Sequence, residues 1–495
     1  MSKKTSYVLV GSAVERDDDC ACPDRAFVLT FAATDAVEEN DCACSDGGFA
    51  LASAGGHAGI FAQTPQVHTQ PLPGNNQLVL SPFAPAGPSV LLPAAWERWQ
   101  SFIQPQPLVG EIDRQLLAQA LIHPTGTVPL PTPGDAETLT AWLHVTNACS
   151  LECPYCYVNK SSARMSETVG LQAVAAVFDT ARRHGFRRVK LKYAGGEATL
   201  HFRLVQRLHQ RAIELATKMG IGLREVVLSN GVGLREEDAR WMRDEGVKLM
   251  ISLDGIGELH NRLRPLKGKP GTDTFSRVAH TIDNLLLPLG IRPDITMTVT
   301  GINAGGAADV ARWSLIERGL PTSFNFYRQN GLSASWTDLQ LEEQAIIDGM
   351  LAAYAVIEAN LPTQPFLNGL LDRVQTEAHA HTCGVGLSYL VMTHTGKVAQ
   401  CQMHLDAPVS DNLTGDLLPM VAGGPLRNVA VDTKEGCRHC EFRYRCSGGC
   451  PLETYRATGR WDIQSPNCRI YKTLYPAALR LEGLRLLKVN GIPLA

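Results

Sequence analysis

No run of about 18 apolar residues occurs in the chain, so no membrane-crossing helix is expected. The opening residues, MSKKTSYVLVGSAVERDDD, hold a short apolar stretch but not the core of a secretory signal. Long basic or acidic runs are missing too. With a net charge of only −3, neither nucleic acid nor an anionic membrane is called for as a partner. Charged residues are 19% and apolar residues 44%, a globular composition rather than a disordered one. At 495 residues the chain is too long for one ordinary core, so about two to four domains are expected. The expected compartment is the cytoplasm. Its reducing conditions make the 14 cysteines better metal ligands or reactive thiols than disulfides.

Those cysteines fall in three blocks. Cys20, Cys22, Cys42 and Cys44 lie in an internal repeat, DCACPDRAFVL (19–29) and DCACSDGGFAL (41–51). Two copies are too few for a solenoid. Residues 76–122 read as a small unit of winged-helix type, with strands LVLSPF and SVLLP before helices AAWERWQSFI and EIDRQLLAQALI. Residues 123–135, rich in Pro and Gly, read as a linker. From residue 140 six short β-branched runs alternate with amphipathic stretches: AWLHVT, RVKLKYA, EVVLSN, VKLMISL, DITMTV and TSFNFYR. That pattern predicts an α/β fold with a parallel sheet or partial barrel, whose site lies at the carboxyl ends of the strands. The expected divisions are an N-terminal α+β region with a possible peptide-recognition unit (1–125), the α/β core (140–345), a helical linker (346–380), a cysteine-rich domain (381–475) and a C-terminal tail (476–495).

The second block, HVTNACSLECPYCYVNK, sets Cys149, Cys153 and Cys156 as C-x3-C-x2-C directly after the first core strand. Three thiolates on one tight loop can hold three irons of a [4Fe–4S] cluster and leave the fourth open. Zinc is the competing reading, but it needs a fourth ligand, and only His144 on the preceding strand is near in sequence. The motif resembles that of the radical S-adenosylmethionine (SAM) superfamily. YAGGEATL, LSNGVGL and ISLDGIGELHNRLR then follow successive strands in that family's order. The resemblance implies a partial (βα)6 TIM-type barrel in which SAM chelates the open iron and is cleaved to a 5′-deoxyadenosyl radical. It also implies roles. Gly195 and Gly196 would admit the methionyl group, with Glu197 accepting from its ammonium. Ser229 and Asn230 would lie near the nucleoside, Ser252 and Asp254 near the ribose. Arg264 would meet the carboxylate and the Tyr155 backbone the adenine. No catalytic side chain is assigned. The family's His-Asp pair is His260-Asn261 here, which leaves any role needing a carboxylate at 261 open.

The third block has the form C-x12-G-x4-C from Cys383 to Cys401, then C-x2-C-x5-C-x3-C from Cys437 to Cys450, then Cys468. This resembles the SPASM extension of radical SAM enzymes that modify peptides and proteins. The resemblance implies two auxiliary [4Fe–4S] clusters, hence three in all. Cys437, Cys440, Cys446 and Cys468 would ligate one; Cys383, Cys401 and Cys450 would ligate the other, leaving an open iron or a non-cysteine ligand. His379 and His381 are close in sequence, but a plain surface role is the favoured reading for both. Sulfatase-maturing members carry an aspartate where this chain has Gln402. The expected function is therefore crosslink formation in a ribosomally made peptide or protein, with an electron donor such as flavodoxin or ferredoxin. Radical oxidation of a protein residue or small molecule is the alternative within the family; an electron carrier or zinc-stabilised binding protein is the alternative outside it. The four N-terminal cysteines stay open between a metal site, a hairpin with incidental thiols and a substrate-like segment.

Overall fold

The computed structural model describes residues 7–11, 27–33, 59–85, 87–133 and 136–494. Cys20, Cys22, Cys42 and Cys44 lie outside them, and with them every reading of the DCAC repeat as a site.

The N-terminal part contains strands β1 (Val8–Val10), β2 (Phe27–Ala33), β3 (Ile60–Gln63), β4 (His68–Pro71), β5 (Gln77–Leu80) and β6 (Ser89–Leu91), and helix α1 (Pro93–Ser101). It continues with β7 (Gln106–Pro107), α2 (Glu111–Ala118), β8 (Ile122–Pro124) and β9 (Thr127–Pro133). Both expected helices form, and Arg98 of α1 grips Asp113 of α2 with two hydrogen bonds of 2.7 Å. Rather than a winged helix, the strands make a four-stranded antiparallel sheet, β1-β6-β5-β4, a three-stranded sheet, β7-β3-β8, and a ribbon, β2-β9. The expected linker 123–135 is therefore a correction, since β9 pairs along its length with β2. Pro129, Pro131 and Pro133 fall on every second position. The donors they lack all belong to one side of the strand, and the other side can still pair.

The core follows as β10 (Thr138–Thr146), α3 (Glu167–Arg183), β11 (Arg188–Gly195), α4 (Phe202–Met219), β12 (Gly222–Ser229), α5 (Glu236–Asp244), β13 (Lys248–Ser252), α6 (Glu258–Leu263), α7 (Thr274–His280), β14 (Asp294–Val299), α8 (Ala307–Val310) and β15 (Thr322–Phe326). Ser166 caps α3 by accepting from Val169 N–H at 3.3 Å, and Gly185 just beyond the helix has φ 71. The six strands β10 to β15 are parallel neighbours in chain order, as the alternating pattern predicts. β10 is buried at every position, which suits a strand covered on both faces.

After α9 (Glu343–Ala359) the chain yields β16 (Tyr389–Met392), β17 (Val398–Ala399), α10 (Leu417–Ala422), α11 (Arg443–Cys446), α12 (Pro451–Thr458) and α13 (Cys468–Val489). β16 joins the core sheet parallel to β10, and β17 pairs antiparallel beyond it, so the sheet has eight strands. The cysteine-rich region is thus welded to the barrel edge. The stretch expected as a tail continues α13, which buries Leu474, Leu479, Leu484 and Leu487. Pro476 sits inside this helix.

Candidate functional site

One cavity of about 200 Å³ opens at the carboxyl ends of the core strands. Its wall includes Cys149, Cys153, Cys156, Tyr155, Gly195, Gly196, Ser229, Asn230, Ser252 and Arg264. Four segments far apart in sequence therefore converge, each from the end of a parallel strand.

The two glycines are required by the loop that carries the cysteines. At Gly195, with φ 146, a Cβ would lie 2.2 Å from Thr146 O; at Gly196 it would lie 2.3 Å from Ala148 O. The contact is held by Gly196 N–H donating to Thr146 O at 2.7 Å and Glu197 N–H to Ala148 O at 2.8 Å. Asn230 ties a third segment in, its Nδ2 donating to Ser150 Oγ at 3.1 Å. Ser229 Oγ accepts from Gly231 N–H at 3.0 Å, fixing the same turn.

Neither Glu197 nor Asp254 lines the cavity. Glu197 is 1% exposed. Its carboxylate accepts from Asn230 N–H at 2.6 Å, Thr199 N–H at 3.1 Å and Thr199 Oγ1 at 2.7 Å. Burial raises its pKa, and those hydrogen bonds offset only part of the rise. Asp254 is fully buried and accepts from Arg264 Nε at 2.6 Å, Thr298 N–H at 2.8 Å and the Tyr155 hydroxyl. Burial alone would lower Arg264, but Asp254 beside it holds the guanidinium above its ordinary value. Both carboxylates work one layer back: Glu197 joins two turns, and Asp254 aims Arg264 and Tyr155. The Tyr155 carbonyl accepts from Asn330 Nδ2 at 3.1 Å. Asn261 holds the start of α7, accepting from Phe275 N–H at 2.8 Å and the Thr274 hydroxyl at 3.0 Å.

The donor set fits a thiolate-ligated cluster. Burial pushes the Cys153 thiol up to about 12 and raises Cys149 as well, so these thiols ionise when a bound metal displaces the proton. His144 is not on the cavity wall; its Nε2 pairs with Asn147 Oδ1 at 2.7 Å, and burial pushes it down to about 4. Among the described residues no three His, Cys, Asp or Glu side chains gather as tightly as a single ion requires. A cubane asks for a wider spread, because each thiolate takes a different corner.

The seven C-terminal cysteines line two small cavities. Cys437, Cys440, Cys446 and Cys468 line one small cavity; Cys383, Cys401 and Cys450 line another. Burial pushes Cys383 and Cys446 up to about 12, and Cys401 and Cys437 to about 11. Neither His379 nor His381 lines the three-cysteine cavity. Gln402 does, with Oε1 accepting from the Tyr389 hydroxyl at 2.8 Å.

Of the wall between the large cavity and the three-cysteine one, sequence reasoning singled out Gln402 alone. Arg328, Arg373, Gln402 and Met403 line both. Arg328 ends the run TSFNFYR, so its position after a strand was a usable signal. Arg373 offers none; it has φ 58, unusual for a residue with a side chain. Among the described residues no carboxylate lines the large cavity, whereas Lys160, Arg264, Arg328 and Arg373 do.

Residues 143–313 match the Radical SAM superfamily model. The chain is similar to the sporulation killing factor maturation protein SkfB of Bacillus subtilis (strain 168), with 30% identity over 37% of this chain and 42% of that protein. It is also similar to the antilisterial bacteriocin subtilosin biosynthesis protein AlbA of the same strain, with 24% identity over 67% of this chain and 70% of that one. The chain spans about half or less of some curated relatives it matches, 52% in one case and 42% in another. Among solved structures, native anSMEcpe with bound AdoMet and Cp18Cys peptide superimposes with a TM-score of 0.56 at 19% identity. That match covers 70% of this chain and 99% of that one and shows a shared fold.

Proposed function

The chain carries a radical SAM domain, and from that premise we propose that it cleaves SAM reductively to modify a ribosomally made peptide or protein by forming a thioether or carbon–carbon crosslink. One observation carries the reading. The three cysteines share a cavity wall with Gly195, Gly196, Ser229, Asn230, Ser252 and Arg264, and the three-cysteine site meets that cavity at Arg328, Arg373, Gln402 and Met403. The relatives named for killing-factor maturation and bacteriocin biosynthesis support a peptide substrate.

Bound at Cys149, Cys153 and Cys156, a [4Fe–4S] cluster would supply the electron that splits SAM into methionine and the 5′-deoxyadenosyl radical, which takes a hydrogen atom from the substrate. The protein's own part is placement. The Gly195–Gly196 turn brings backbone to the cavity wall, and Arg264, aimed by Asp254, offers a fixed cation to the SAM carboxylate. Gln402 stands where a base would be needed for serine or cysteine oxidation, and an amide takes up no proton. With no carboxylate on the wall among the described residues, a substrate thiolate held at the three-cysteine site suits the cavity better, since soft sulfur ligands favour iron–sulfur sites. We assign one auxiliary cluster to Cys437, Cys440, Cys446 and Cys468, and one to Cys383, Cys401 and Cys450. The electron donor would be a cytoplasmic flavodoxin or ferredoxin.

Iron, sulfide and zinc analysis after anaerobic reconstitution tests the assignment. Three clusters require about 12 iron and 12 sulfide per chain. Stoichiometric zinc with little iron would overturn it.

A further inference from the structure

Cys446 lines the four-cysteine cavity and Cys450 the three-cysteine one, with only Ser447, Gly448 and Gly449 between them. All three have left-handed backbone, with φ of 47, 79 and 74. For Ser447 that conformation is strained, and surrounding structure must hold it.

Lys434 supplies part of that hold. Its side chain is 1% exposed, and its Nζ donates to Ser447 O at 2.8 Å. The same carbonyl accepts at 2.8 Å from Oγ1 of Thr382, which lines the three-cysteine cavity. A Cβ on Gly448 would lie 3.0 Å from Lys434 Nζ and 3.3 Å from Cys437 Sγ, so ammonium and thiol flank one glycine. Among the described residues no carboxylate pairs with Lys434. A buried cation without a counter-charge is costly. Burial pulls the Lys434 pKa down, and the groups around it that favour the ammonium once they are thiolates are Cys437 and Cys446 from one site and Cys383 and Cys450 from the other.

We propose that Lys434 is the shared counter-charge of the two C-terminal cysteine sites, a positioning residue that makes each easier to reduce by one electron. The inference rests on the reading of both sites as iron–sulfur clusters. Its use lies in the crosslinking step. When a carbon radical couples to a thiolate, the new C–S bond leaves one electron over; an oxidised auxiliary cluster held by these cysteines would take it up, with no proton moving. An ammonium fixed in a low-dielectric interior favours the added negative charge at both sites.

The test uses the full-length chain, anaerobically reconstituted, as wild type, K434R, K434M and K434Q. Gln keeps a donor for Ser447 O, of shorter reach and without charge. Redox titration followed by electron paramagnetic resonance reads each cluster separately. In K434Q and K434M both auxiliary midpoints should move down by at least a tenfold change in the reduced-to-oxidised ratio, about 59 mV for one electron. K434R should stay near wild type, and the cluster at Cys149, Cys153 and Cys156 should not move. Unchanged auxiliary midpoints in loaded K434Q would overturn the proposal. Loss of auxiliary iron in the neutral variants supports it if K434R restores the iron and defeats it if K434R does not. Wild-type protein without auxiliary iron would fail the cluster reading itself, and the iron analysis tells that case apart.

Discussion

At the scale of single residues, the site depends on groups that never reach the cavity surface. Glu197 satisfies two backbone N–H groups and a hydroxyl, joining the glycine turn to Asn230. Glu197→Ala should therefore lower stability even without SAM, by about 1–3 kcal/mol for the buried donors left unpaired. SAM affinity should fall as well, because Asn230 loses its anchor. Thermal unfolding of the SAM-free protein measures the first effect; an unchanged midpoint would return Glu197 to the cavity wall as a direct ligand. Which residues converge was legible in the sequence, because each motif directly follows a strand. What each side chain does was not, for the partners of Glu197 and Asp254 come from other strands and loops. Asn261, where the family has aspartate, accepts from the start of α7, a partner that its own motif does not announce.

Among elements, the alternating apolar runs made the six core strands legible, since parallel strands buried on both faces read as continuous β-branched stretches. The seventh and eighth were hidden in a cysteine-rich region with little periodicity, where pairing with β10 rather than local pattern makes the strand. Proline misled in β9, which lies within the expected linker 123–135. Away from the cavity, α4 is fastened to the sheet by buried His209. Its Nδ1 lies 2.6 Å from Glu225 of β12, and its Nε2 3.2 Å from Glu245 at the end of α5. Burial pulls His209 down, but the two carboxylates outweigh it and the net pKa is raised. A raised folded pKa means stability that is fully present below about pH 6.5 and lost as pH rises through the folded value. Denaturant titrations of wild type and His209→Gln should show the largest gap below about pH 6.5, narrowing at higher pH. A gap that widens with pH would mean the carboxylates do not hold the proton there.

For the whole molecule, the parallel sheet gathers one cysteine set, and the chain from Cys383 onward folds back to set two more beside it, one sharing a wall with the large cavity. Ligand sets drawn from separate segments should be separable by mutation. The central claim is that Cys149, Cys153 and Cys156 hold the group that cleaves SAM. The direct measurement is 5′-deoxyadenosine formed from SAM by the reduced, reconstituted full-length protein and by its Cys149→Ala, Cys153→Ala, Cys156→Ala triple variant. The account predicts deoxyadenosine from the wild type and none from the variant, which should keep about 8 iron in its auxiliary sites. Deoxyadenosine at the wild-type rate from the triple variant would contradict it.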